Sequence, residues 1–293
     1  MVDILVLNYN SPDLTVEFVN SIYNYSSVGR IIVVDNASTD NSLTLLKEQL
    51  SLEKIHIVSS NKNGGYGAGN NVGIKYASEK LQSDYLLLCN PDIKIENDVI
   101  LGLENFIRSH EEYGLAAARM LDAKGNYTQN TARKIPALRP YLFSPSMIFS
   151  KYHPDAFLYS DIDLWKEGVY DVDIVSGSCF MLDVTKFIEV GMFDENIFLY
   201  GEELVIGKRM KDCNYKVGFL PSYSFLHVHS ASISRTYSSE ISRWKISMRS
   251  KRYILNAYYK INSFQKFVLE GVIAFAYLEI LARRVQSRLT TRR

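Results

Sequence analysis

Four short apolar runs, residues 4–7, 31–34, 55–58 and 85–88, are each bounded by turn-forming residues, the pattern of strands buried on both faces of a parallel sheet. Between them lie stretches of helical spacing: 12–25, with Ser11 as cap and Pro12 in the first turn, then about 41–50 and 67–81. Strand and helix alternate, which predicts an α/β chain on an open, mostly parallel sheet with ligands beyond the carboxyl ends of the strands. Polar residues collect at those ends. Asn8 and Asn10 follow the first run, Asp35 the second, residues 61–73 the third, and Asn90 and Asp92 the fourth.

The pattern weakens from about 114 to 170, where Pro136, Pro140, Pro145 and Pro154 are scattered among aromatics, so a long and partly irregular excursion is expected there. Order returns with a strand pattern over 171–182, a helix over about 202–211 and short strands near 217–220 and 225–229. A helix over about 238–259 follows, with Ile241, Trp244, Met248, Leu255 and Tyr258 on one face. Residues 267–282 are apolar apart from Glu270 and Glu279 and lead into Arg283, Arg284, Arg288, Arg292 and Arg293. This stretch is too short and too acidic to span a bilayer. Its two glutamates fall on opposite helix faces, and Lys266–Glu270 and Glu279–Arg283 are spaced to pair. The expectation is a helix packed on the body or on another subunit of a homo-oligomer, with its arginines near a membrane surface; a purely structural helix fits the same spacing.

Composition sets the scale. With 293 residues, 47% of them hydrophobic, the chain can fill the core of one large domain or two modest ones. Cys89, Cys179 and Cys213 are far apart and show no metal or disulfide spacing, and the first residues resemble neither a secretory signal nor a span. Both point to a reducing, cytoplasmic setting, or the inner face of the cell membrane. The net charge of +1 conceals an asymmetry: residues 240–293 hold 12 Lys/Arg against 3 Asp/Glu, or +9, and the remainder is −8. A basic C-terminal segment suits an anionic surface as well as it suits plain solvent.

Three segments could carry chemistry. In 32–42, IVVDNASTDNS, Asp35 at a strand end can accept a hydrogen bond from a base or ribose, although Asp35 and Asp40 would equally end a strand and cap a helix. Residues 61–74, NKNGGYGAGNNVGI, hold five glycines that let backbone approach a ligand. Gly67, Gly69 and Gly73 do not give the dinucleotide-binding spacing, and the run follows the third strand instead of the first, which disfavours an oxidoreductase. In 84–93, DYLLLCNPDI, the carboxylate of Asp92 at a strand end can anchor Mg²⁺ or Mn²⁺ whose other ligands come from a diphosphate; an ordinary Asn-Pro-Asp turn is the plainer reading.

Together these segments resemble the family 2 glycosyltransferases, whose fold is called GT-A, over residues 2 to about 232. The matching places are Asn8-Tyr9-Asn10, the run 34–40, and a loop carrying Asn63, Gly65, Tyr66, Gly69, Asn71 and Gly73. The resemblance implies that Asn8, Asp35 and Asn71 face the nucleoside, with Asn10, Asn63, Gly65 and Gly69 also on the donor side. It puts Asn90 and Asp92 in the place of the family's DxD motif, Asp92 being the metal ligand. Gly177 and Ser178, within 174–182, match the segment beneath donor sugar and acceptor. Glu202 and Glu203 match the acidic pair that opens a helix, Glu203 standing where the family usually has the Asp that serves as general base; Val205 replaces a second common Asp. First-turn acids that favour the helix dipole would look the same. His227, five residues before Ser232, matches a histidine near metal or diphosphate, with His229 a second choice.

The implied protein is an inverting enzyme of GT-A type with a C-terminal helical extension. Its expected segments are 1–120 for the nucleotide sugar, 121–235 for acceptor and catalysis, and 236–293 as the basic extension. It would move a sugar from a UDP or dTDP sugar to a glycan or lipid-linked acceptor in bacterial surface polysaccharide synthesis, using a divalent cation and no nucleic acid. Alternatives are a non-catalytic nucleotide-sugar or glycan-binding protein on this scaffold, and a sugar nucleotidyltransferase. The latter would want a glycine-rich, basic loop directly after the first strand, and residues 8–13 contain neither glycine nor Lys/Arg.

Overall fold

A computed structural model describes residues 1–159, 166–228 and 239–290. The four apolar runs become β1 (Val2–Asn8), β2 (Val28–Asp35), β3 (Ile55–Ser59) and β4 (Tyr85–Cys89), paired in parallel in the order β3-β2-β1-β4. The intervening helices are α1 (Pro12–Ile22), α2 (Ser42–Gln49) and α3 (Tyr66–Leu81). Pro12 opens α1 as expected, but Ser11 makes no side-chain cap; its hydroxyl donates to the carbonyl of Tyr9.

Alternation along β1 explains the layers. Val2, Ile4 and Val6 face one core with Phe18, Val19 and Ile22 of α1, while Leu5 faces the other with Ile74 and Ala77 of α3. Helix α4 (Asn97–Ser109), which the sequence pattern did not single out, adds Val99, Leu103 and Phe106 to the first core.

The stretch read as irregular from 114 holds a strand at the heart of the sheet, β6 (Tyr113–Leu121). Its Leu115 and three alanines pack on both faces, and such a small-residue run gives little strand signal despite its burial. It lies between β10 (Cys179–Asp183) and β11 (Lys216–His227), antiparallel to the first and parallel to the second. Strand β10, which leads into α7 (Val184–Glu189), is also antiparallel to β4, so the sheet is mixed as well as mostly parallel. The two short strands expected near 217 and 225 are one strand with an irregularity between Leu220 and Ser224, and β5 (Ile93–Lys94) pairs with its end. The pattern over 171–182 is broken into β8 (Tyr170–Val172), β9 (Ile174–Val175) and β10 by the turn at 176–178. Strand β9 pairs with β7 (Ala132–Arg133) in a separate ribbon.

A third core joins the second half of the chain to its C-terminal helices. Tyr141 and Leu142 of α5 (Leu138–Phe143) and Leu204 and Val205 of α8 (Glu202–Asp212) pack on Met248, Ile254 and Leu255 of the helix Glu240–Ala257, with Leu269 and Ile273 of the helix Ser263–Thr290 beneath. Val205 is fully buried there, which gives a physical reason for an apolar residue at that position. The ion pairs expected along the last helix do not form. Glu270 accepts from Arg252 at 2.6 Å, Arg283 pairs with Glu240, and Glu279 accepts backbone N–H groups of Met147 and Ile148 at the start of α6 (Met147–Tyr152). Glu270, Glu279 and Arg283 find their partners on neighbouring elements instead of along their own helix.

Candidate active site

The parallel strands end on one rim, and the polar residues there form two groups. In the first, Asn8 donates to Asp35 Oδ1 (2.9 Å) and accepts from Thr15, while Ser38 donates to both Asp35 oxygens through its hydroxyl and its N–H. Asn10, at φ 51°, exchanges bonds with Thr39. Asn36 donates to Asn63 Oδ1 and to the Gly65 carbonyl, and Gly65 donates its N–H to Asn63 as well. A Cβ on Gly69 would come within 2.9 Å of Asn36, so this glycine makes room for the amide that ties the second and third strand ends together. Gly65 turns at φ +93° directly against the Phe198 carbonyl, a place no side chain could occupy.

Asn71 is apart from this rim. It is buried on α3, accepting from the Phe193 N–H and donating to the Phe193 carbonyl and to Glu195, so its amide pins the loop before α8.

The second group surrounds a cavity of about 650 Å³, lined by Asn90, Gly177, Ser178, Glu202, Glu203 and His227. Two cross-links assemble it. The Asn90 N–H donates to the Ser178 carbonyl (2.8 Å), and the Tyr66 phenol donates to the Gly177 carbonyl, fixing the turn between β9 and β10 against the end of β4. Burial, with the nearby Glu203 and Glu202 carboxyls, holds the Tyr66 hydroxyl well above its ordinary pKa and hence protonated.

Asp92 lies just behind the cavity wall, 4% exposed, with Oδ1 3.2 Å from His227 Nε2. Its Oδ2 is buried and has no hydrogen-bond partner. A carboxylate oxygen left bare in this way suits a divalent cation, and about 3 Å is the separation expected for adjacent ligands of a small octahedral ion. Among the described residues no group of three or more His, Cys, Asp or Glu side chains converges, so such an ion would draw further ligands from a bound diphosphate or water. His229 and Ser232 lie outside the described residues. Asp35 ends β2 and Asp92 lies in the turn after β4, two strands separated only by β1 and therefore about 10 Å apart.

The two glutamates at the start of α8 are not equivalent. Glu202 is buried, its Oε1 lacks a partner, and burial together with the Glu203 charge pushes its pKa up to about 8. Glu203 is 28% exposed at its side chain, with Oε2 4.0 Å from Arg133 Nη2. A Cβ on Gly177 would sit 3.1 Å from Glu203 Oε1, so the glycine accommodates the longer acid. Neutral Glu202 beside a solvent-reaching Glu203 is a division of roles that favours Glu203 as base. Because the folded state holds the Glu202 proton up to about pH 8, stability is expected to fall as pH rises between about 4.5 and 8. Glu202→Gln should flatten that fall, which denaturant titrations at about pH 6 and pH 9 would measure; an unchanged slope would mean that the buried acid is not Glu202.

Sequence reasoning missed several lining residues. Arg133 and Tyr141 come from the excursion without period. Lys251 lines the cavity as well, its ammonium donating to the Tyr141 carbonyl (3.2 Å) and Ser144 Oγ (2.5 Å) above the Tyr141 ring. Burial pulls its pKa down to about 7. A signal existed: a lone lysine three residues after Met248 and four before Leu255 sits on the helix's apolar stripe.

Residues 3–190 match the family model described as glycosyl transferase family 2. The low-salt glycan biosynthesis hexosyltransferase Agl10 of Haloferax volcanii is 28% identical over 243 residues, 80% of this chain and 70% of that protein. An N-acetylglucosaminyl-diphospho-decaprenol L-rhamnosyltransferase of Mycobacterium tuberculosis is 25% identical, over 72% of this chain and 70% of that one. The crystal structure of GalNAc-T7 with UDP, GalNAc and Mn²⁺ superposes with a TM-score of 0.63 at 14% identity, covering 98% of this chain and 57% of the other. Its likeness establishes the fold as GT-A.

Proposed function

The chain belongs to glycosyl transferase family 2, and on that premise we propose that it moves a sugar from a nucleoside diphosphate sugar to an acceptor hydroxyl with inversion at the anomeric carbon. The donor is of the UDP or dTDP type and the group moved a hexosyl or deoxyhexosyl unit. The acceptor is a glycan or lipid-linked saccharide, a class the relatives' names support, met on the cytoplasmic side at the inner face of the membrane. The observation that carries the reading is one cavity bordered by Glu203 and by His227, with the bare oxygen of Asp92 behind.

In this mechanism Glu203 takes the proton of the acceptor hydroxyl as the new bond to the anomeric carbon forms and the bond to the diphosphate breaks. Glu202, protonated near neutral pH, adds no second negative charge beside the developing alkoxide. Asn8 and Asn36 hold the strand ends at which Asp35 meets the nucleoside. Tyr66 keeps the turn bearing Gly177 and Ser178 in place under the donor sugar and acceptor. Asp92 and His227 would hold a divalent cation, whose chemistry is to offset negative charge on the departing diphosphate. The test is solution NMR of the product made from an α-linked UDP or dTDP sugar: a β-anomer is expected, and an α-anomer would contradict the assignment of a single displacement.

A further inference from the structure

Tyr141 lines the cavity from α5, inside the stretch without sequence period, and only 6% of it is exposed. A buried tyrosine ordinarily pairs its hydroxyl, because a desolvated O–H without an acceptor is costly. The Tyr141 hydroxyl has no hydrogen-bond partner among the described residues, yet it is not sealed off as Asp92 Oδ2 and Glu202 Oε1 are. The cavity is the space that this residue lines, so the free O–H is offered there.

Its place is beside the base. A Cβ built on Gly201, the residue before Glu202 and Glu203, would lie 3.9 Å from the Tyr141 hydroxyl oxygen. Burial, with Tyr259 and the carboxyls of Glu203 and Glu202 outweighing the Arg133 guanidinium, holds this hydroxyl above its ordinary pKa, so it remains a donor at neutral pH. A protonated phenol next to a carboxylate base suits a neutral sugar: it can donate to one oxygen of the sugar while the base takes the proton of another. The donor's nucleoside and diphosphate are assigned to the rim where β1, β2 and β4 end. Tyr141 instead packs in the third core with Leu204 and Val205 of α8.

The end of the chain holds the ring. Lys251, on the helix Glu240–Ala257, places its ammonium 3.7 Å from the ring centroid and donates to the Tyr141 carbonyl (3.2 Å) and Ser144 Oγ (2.5 Å). Tyr259 stacks on the same ring with centroids 5.2 Å apart, and its own hydroxyl donates to the Pro136 carbonyl. Lys251 is 9% exposed and has no carboxylate partner among the described residues. A buried ammonium met only by neutral acceptors and an aromatic face is a costly way to join two helices, where Leu or Met would pack at less cost. What the lysine adds over an apolar residue is a fixed place for Tyr141. Both Lys251 and Tyr259 lie beyond the residues that the family model matches.

We infer that the Tyr141 hydroxyl hydrogen-bonds the acceptor sugar beside the hydroxyl that reacts, and that Lys251 is the positioning residue that keeps it there. The inference rests on the transfer reaction proposed above and adds to it the group that tells a saccharide acceptor from water.

The test measures transfer and donor hydrolysis side by side, with the UDP or dTDP sugar that the parent turns over fastest. The acceptors are phenyl β-glycosides of glucose, galactose and N-acetylglucosamine, and an N-acetylglucosaminyl diphosphate lipid. Tyr141→Phe removes one oxygen and no hydrogen bond within the protein, so its melting temperature should match the parent's. Its acceptor KM is expected to rise about tenfold, and at subsaturating acceptor the ratio of transfer to hydrolysis should fall about tenfold, with affinity for nucleoside diphosphate and Mn²⁺ within about twofold. Lys251→Met should lower that ratio to a similar degree, and the double variant should be no worse than Tyr141→Phe alone, because the lysine acts through the hydroxyl. A lysine that only staples two helices would change stability and leave the ratio as it is. The inference is overturned if Tyr141→Phe keeps the parent's ratio, if it weakens nucleotide binding as much as acceptor use, if the two substitutions add in full, or if the parent hydrolyses the donor but transfers to none of these acceptors. A parent that neither hydrolyses nor transfers contradicts the proposed function itself, which separates the two failures.

Discussion

Glu203→Gln is expected to lower kcat by about three orders of magnitude while leaving donor affinity within about twofold. The substitution keeps the volume that fits against Gly177 and removes only the capacity to take a proton. The group is placed for that work: it opens α8, reaches the cavity, and has Arg133 4.0 Å away, where at 28% exposure the pair adds little to stability. Glu202 cannot readily take over, because the carboxyl pushed up to about 8 is protonated at neutral pH and buried behind its neighbour. Steady-state kinetics with donor binding measured by calorimetry check both halves. Turnover within about tenfold of the parent would remove Glu203 from the role of base.

The second large effect concerns Asp92. In the apo protein its Oδ2 is a buried charge-bearing oxygen without a partner, an arrangement that costs stability until something positive arrives. Asp92→Asn keeps the shape and removes the charge. Three results follow: a metal-free melting temperature no lower than the parent's, loss of any rise in melting temperature with Mn²⁺ and nucleoside diphosphate, and a fall in kcat/KM of at least about a hundredfold. A variant that keeps the full Mn²⁺-dependent rise would place the ion elsewhere.

Much of the fold was legible because its first half obeys simple rules. Runs such as 31–34 are too apolar and too short for anything but a buried strand, and the alternation with helices fixes a parallel sheet with its ligand edge. Asn8, Asp35, Asn90 and Asp92 stand on that edge because strand ends put them there. Strand β6 was hidden by Ala116, Ala117 and Ala118, residues of weak strand preference whose place is decided by packing on both faces. Asn71 could be located on α3 but not oriented, since its partner Phe193 lies more than a hundred residues away. The roles of Arg133 and Tyr141 were invisible for the same reason: the β7–β9 ribbon and the third core that position them are made by contacts distant in sequence. Glu270 and Glu279 show the limit of local spacing rules, each preferring a tertiary partner to the neighbour four residues along.

The central claim is that Asp92 and Glu203 serve one reaction from two sides of one cavity. It is tested most directly by anomalous diffraction from crystals grown with Mn²⁺ and a nucleoside diphosphate. The account predicts a manganese peak within about 2.3 Å of an Asp92 carboxylate oxygen, the base of the nucleotide toward Asp35, and Glu203 facing the terminal phosphate across open space. A nucleotide bound with its metal away from Asp92, or with Glu203 walled off from its phosphates, would contradict it.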